Sequence, residues 1–160
     1  MKTLHLTLKK QWFDMTKSGI KTEDYRDVNK YWFKRLIFKW RDVMLFHGYN
    51  DLTDEIAIYI IENSKMYGFK PFKSNIMTLG YAKKGDKERT LELEHKGIEV
   101  GTGNPEWGAE PNKMYFVIKH GKIINTDLQE AIKKAKPNLD KIKDVDKHLD
   151  EIRNSRIKTI

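Results

Sequence analysis

The chain has 160 residues, the size of one domain with room for a short appendage, and its 39% hydrophobic content is enough for a single core. It contains no cysteine, which excludes disulfides, thiolate zinc sites and cysteine nucleophiles. No apolar run approaches the roughly 18 residues of a membrane span, and the lysine-broken N-terminus "MKTLHLTLKKQW" does not read as a signal peptide, so a cytoplasmic protein without membrane contact is expected. The net charge of +8 is carried by the ends: residues 1–41 hold eleven Lys/Arg against four Asp/Glu, residues 42–132 hold eleven against fourteen, and residues 133–160 hold nine against five. Basic ends of this kind suit a polyanion, whose phosphates release counterions when lysine and arginine replace them.

In chain order, "TLHLTL" alternates, with Leu4, Leu6 and Leu8 on one face, and reads as a first strand. "KKQWFDMTKSG" reads as a short helix closed by Gly19, and "KTEDYR" as a second strand that sets Lys21, Glu23 and Tyr25 on one face and Thr22, Asp24 and Arg26 on the other. "NKYWFKRLIFKW" predicts a helix burying Trp32, Leu36 and Trp40, and the apolar run "DVMLFHGY" predicts a strand. "LTDEIAIYIIENSKM" suits either a long strand or a helix capped by Thr53, the cap favouring the helix. From Ser74 to Val100 the text reads as a hairpin with a turn rich in Lys, Gly and Asp. "MYFVIKHGKII" predicts a strand buried on both faces at Tyr115 to Ile118 and broken at Gly121. The tail predicts helices interrupted by Pro137, with Leu139, Ile142, Val145, Leu149 and Ile152 on one stripe. The expected architecture is α+β, a curled or closed sheet of about five or six strands with flanking helices and a C-terminal helical appendage.

Two stretches carry candidate chemistry. In "KSGIKTEDYRD", Asp24 and Arg26 share a strand face with Lys21 at the preceding turn, so opposite charges crowd together. The plain reading is a surface ladder of salt bridges; the sharper one is a ligand site. A ligand site predicts that removing Lys21, Asp24 or Arg26 leaves the melting temperature nearly unchanged while binding falls. The second stretch, "IEVGTGNPEWGAEP", has glycines for sharp turns and presents Trp107 either as a lid or as a stacking platform, flanked by Glu106 and Glu110. It has neither the phosphate-loop nor the dinucleotide glycine spacing. The five histidines never fall at i, i+3 or i+4 from one another, so neither a metal nor a cofactor is expected.

Gly19, Lys21, Asp24 and Arg26, together with "GTGNPEWGAEP" and the closing strand "MYFVIK", resemble the ASCH domain, a member of the PUA-like superfold of small β-barrels. The resemblance covers roughly residues 3–120. It implies an ASCH/PUA-like domain over 1–124 with an insertion near 50–74, followed by the appendage at 125–160. It also implies RNA or nucleotide binding in a basic cleft beside the barrel. Lys21, Asp24, Arg26, Asn104 and Trp107 would bind, Lys21 and Arg26 engaging phosphate or a base edge. Some members hydrolyse RNA or acetylated cytidine, and on that alternative Lys21, Asp24 and Glu106 would be catalytic. Hydrolytic members carry a threonine where this chain has Asp24, and a carboxylate can act there as a base but not as that hydroxyl nucleophile. A third alternative is a protein-interaction module, of phage or mobile-element type, docking through 50–74 or 133–160.

Overall fold

A computed structural model describes residues 2–124; the expected helical appendage at 125–160, with its apolar stripe and basic excess, lies outside the described residues. Five strands build one sheet: β1 (Lys2–Leu8), β2 (Glu23–Asp27), β3 (Phe72–Leu79), β4 (Thr90–Thr102) and β5 (Met114–Ile123). Their spatial order is β1-β3-β4-β5-β2, and the sheet curls into a half-barrel. β1 runs parallel to β3, while β3, β4, β5 and β2 pair antiparallel in turn. Four helices accompany it: α1 (Lys10–Lys17), α2 (Lys30–Leu36), α3 (Trp40–Phe46) and α4 (Asp54–Asn63). The α+β class and the five-stranded, barrel-like sheet are as expected. None of the described helices is long and apolar enough to cross a membrane.

The alternation of β1 puts Leu4, Leu6 and Leu8 in the core, where they meet Met77 of β3, Leu91 and Leu93 of β4, and Phe116 and Ile118 of β5 among the buried residues. β5 is buried on both faces because it has two covers. Phe116 and Ile118 join the main core, whereas Tyr115 and Val117 pack with Ala109 and Tyr25 under the loop that follows β4. That double cover explains the unbroken apolar run "YFVI".

Three expectations are corrected. The strand does not break at Gly121 but continues to Ile123. Its glycine is a packing requirement, since a Cβ there would meet the Glu94 carboxylate at 2.5 Å and the Lys96 side chain at 2.8 Å. The single helix expected to reach Trp40 stops at Leu36, because fully buried Ile37 leaves it to pair with Phe69, and Phe33 and Leu36 rather than Trp32 and Trp40 fill the core. Lys39, in the left-handed region at φ 45°, turns the chain into α3. The third correction is α3 itself, which occupies the run expected to be a strand. The short apolar run from Val43 to Phe46 fits either period, and as a helix it buries Met44 while leaving Leu45 and Phe46 exposed.

The 50–74 segment holds α4, started as expected by the Thr53 side chain accepting from the Ile56 amide at 3.3 Å. Ala57, Ile60 and Ile61 are its buried face; Tyr59 remains exposed, as does Met66 beyond the helix.

Candidate functional site

Pairing between β2 and β5 decides where the charges point. Asp24 stands opposite Ile118 and Arg26 opposite Phe116, so both share the face of core residues, while Tyr25 stands opposite Val117 beneath the loop. The cluster is therefore no surface ladder. Lys21 is 2% exposed and Asp24 5%. The Arg26 guanidinium lies 2.6 Å from Asp24 Oδ2 as an ion pair without an aligned hydrogen bond, and the Lys21 ammonium lies 3.6 Å from Oδ1. Lys21 Nζ also donates to the Glu23 carbonyl and sits 4.6, 5.9 and 6.0 Å from the ring centres of Tyr25, Trp12 and Trp107. Burial pushes the Lys21 pKa down from the usual lysine range, opposed by the attraction and hydrogen bonding of Asp24.

These residues stand at the open side of the half-barrel. Arg26 reaches from β2 across to β1 and donates to the Thr7 carbonyl at 3.2 Å. Beside it lies a cleft of about 240 Å³ lined by Thr7, Leu8, Lys9, Trp12, Asp24, Tyr25, Arg26, Trp107 and Gly108. The loop wall is fixed to the floor: the Tyr25 hydroxyl donates to Glu23 Oε1 at 2.7 Å and accepts from the Asn104 amide at 2.9 Å. A Cβ on Gly108, at φ 92°, would come within 2.5 Å of the Trp12 ring, and one on Gly103 within 2.8 Å of the Tyr25 ring. Glycine at these positions lets the loop backbone press Trp107 into the wall of the cleft.

Asp24, Arg26 and Trp107 thus come together as expected from the sequence, and Lys21 stands directly behind them rather than in the lining. Asn104 does not line the cleft; its side chain accepts from the Glu106 amide at 3.0 Å and starts the turn Pro105–Trp107. Glu106 is exposed and outside the lining. Sequence reasoning missed Trp12, Tyr25 and Lys9, all of which line the cleft. The signal available was the aromatic content of "KKQWF" immediately after a strand, which read only as the start of a short helix.

His120, on the same face of β5 as Ile118, is buried with Nε2 lacking a hydrogen-bond partner. Burial, reinforced by the Lys21 charge, pushes its pKa down to about 4. A histidine depressed in this way stabilises the fold above its unfolded value near 6.5 and loses that contribution as pH falls towards 4. Over that window the loss approaches about 3 kcal/mol. His120→Leu should flatten the acid limb, so that chemical denaturation at pH 7 and pH 4.5 shows the wild type losing about 2 kcal/mol more than the variant. Parallel losses in the two proteins would refute the assignment.

No group of three or more metal-ligating side chains occurs among the described residues. Compared with protein-family models, curated proteins and solved structures, the chain matches none.

Proposed function

We propose that this domain binds RNA or a nucleotide in the cleft between β1, α1, β2 and the 103–109 loop, as an ASCH-type, PUA-like module would. The observation that carries this reading is a part-exposed, ion-paired arginine in the wall of a cleft that two tryptophans also line. Arg26, with 19% of its side chain exposed, offers a planar cation to a phosphate or base edge, and Trp12 and Trp107 offer faces to a flat ring. Lys21 acts from behind the wall by charging the Asp24 and Arg26 pair, while Lys9 at the rim supplies a second direct cation.

Titration with the four ribonucleoside monophosphates, followed by tryptophan fluorescence, tests the proposal. Binding of at least one, weakened about tenfold by Trp107→Ala, is the expected outcome, because base stacking on an aromatic is worth roughly 1–3 kcal/mol. Failure of all four to bind at millimolar concentration would overturn it. The hydrolase alternative retains a carboxylate that lines the cleft, Asp24, but loses Glu106 to the exposed turn. With Asp24 already shared between two cations, binding is the better-supported reading. Product from acetylated cytidine or RNA would reverse that order.

A further inference from the structure

Residues 28–41 contain five cations, Lys30, Lys34, Arg35, Lys39 and Arg41, and no acid. Their side chains alternate with aromatic rings. The Arg26 guanidinium carbon lies 5.1 Å from the Trp32 ring centre, and Arg35 lies 5.3 Å from the same ring and 5.8 Å from Tyr31, to whose hydroxyl its Nη1 donates at 2.8 Å. Lys34 and Arg41 stand 4.8 and 5.3 Å from the Trp40 ring centre. An unbroken chain of cation and ring contacts therefore leads from Arg26 in the cleft wall, through Trp32 and Arg35, onto the surface of α2.

On that surface is a second, open depression of about 450 Å³, lined by Asn29, Lys30, Tyr31, Lys34 and Asp54. Besides the Tyr31 hydroxyl, its acceptor side chains Asn29 and Asp54 each have one oxygen engaged. Asn29 Oδ1 accepts from the Trp32 amide at 2.9 Å and Asp54 Oδ1 accepts from the Lys30 amide at 2.7 Å. Lys30 and Tyr31, the latter 59% exposed, face solvent, whereas Lys34 is half-buried with its ammonium over the Trp40 ring; the salt bridges found among the described residues include neither lysine.

We infer that α2 and its flanks, centred on Lys30, Tyr31 and Lys34, form a track that carries a single strand of RNA onward from the cleft. This deepens the proposed function and rests on it. Two cations beside an exposed ring match a phosphate–base–phosphate repeat, which an unpaired strand presents and a duplex does not, because stacked bases offer no face. Arg35 is tied down, donating to the His5 carbonyl at 2.8 Å, so it braces Tyr31 rather than meeting phosphate. The ligand class follows: an oligoribonucleotide several residues long, with one nucleotide in the cleft and its neighbours on α2.

The test compares the tightest-binding ribonucleoside monophosphate with a mixed-sequence ten-residue RNA, the same sequence as DNA, and an RNA duplex. The full chain is measured across a range of salt concentrations. In the triple variant Lys30→Ala, Tyr31→Ala, Lys34→Ala, the decamer should lose at least tenfold in affinity. Its logarithmic salt slope should fall by about 1.4, the value for two phosphates on a single strand. Monophosphate binding should stay unchanged. The milder Lys30→Gln, Lys34→Gln variant, which keeps good helix formers, must show the same fall in slope. The inference fails, with the cleft reading intact, if the decamer binds no tighter than the monophosphate or the variants bind it as the wild type does. If no monophosphate binds yet the decamer still depends on the α2 lysines, the cleft reading fails, and with it the inference of a strand led onward from the cleft. Equal or tighter binding of DNA overturns the assignment to RNA, and equal binding of the duplex overturns the single strand.

Discussion

Asp24→Asn is expected to lower the unfolding free energy by about 3 kcal/mol, the scale of breaking a buried ion pair by removing one partner. For a chain of this length that is a fall in melting temperature of roughly 10 °C. The reason is the stoichiometry of the cluster. One carboxylate neutralises two cations, at 2.6 and 3.6 Å, and an amide in its place leaves buried Lys21 and part-exposed Arg26 facing each other with no counter-charge between them. The reverse substitution behaves differently. Lys21→Met leaves a one-to-one pair and removes the desolvation cost of the ammonium, so its net cost should be no more than the Glu23 carbonyl's lost donor, about 1 kcal/mol. Adding Lys21→Met to Asp24→Asn should then recover at least half of the loss. Thermal melts and urea titrations of the two single variants and the double variant check this. Additive single effects would show that the three charges do not act as one unit. From sequence, any member is expected to be removable at little cost to stability; the burial of Asp24 leads instead to the larger loss expected here.

On the binding proposed above, Arg26→Lys should reduce nucleotide affinity by tenfold or more while the fold survives. Arginine meets three demands at once in this structure: it pairs with Asp24, donates to the Thr7 carbonyl, and lies 5.1 Å from the Trp32 ring centre. A lysine keeps the charge but has no planar fork with which to hold Asp24 and Thr7 together and still present an edge to the ligand. Monophosphate titration of the variant measures the effect, and a melt run alongside separates it from unfolding. Undiminished affinity would move the binding residue elsewhere in the cleft.

Those contrasts show where the sequence could be read and where it could not. The alternation of Leu4, Leu6 and Leu8, the Thr53 cap and the apolar run at Tyr115 to Ile118 are local patterns, and each produced the element it predicted. "DVMLFHGY" misled because its four consecutive apolar residues fit either period, and as a helix they bury only Met44. The membership of the charge cluster was legible, since Lys21, Asp24 and Arg26 are near neighbours along the chain. Its burial was not, because the face that β2 turns inward is set by pairing with Phe116 and Ile118, some ninety residues later. Trp12 was missed for the same kind of reason: its place in the cleft depends on the backbone of Gly108 closing over it.

Arg26 and Arg35 also guard the molecule against its own kind. An open sheet ends in strands whose outward carbonyls and amides are templates for another chain's strand, the usual route to edge-to-edge aggregation. β1 is such an end strand, and two of its outward carbonyls, at His5 and Thr7, are occupied by Arg35 and Arg26. Side chains here do the blocking that a sixth strand would do in a closed barrel. Losing either cation would therefore uncover a sticky rim, so both are tied to keeping the fold monodisperse as well as to any ligand.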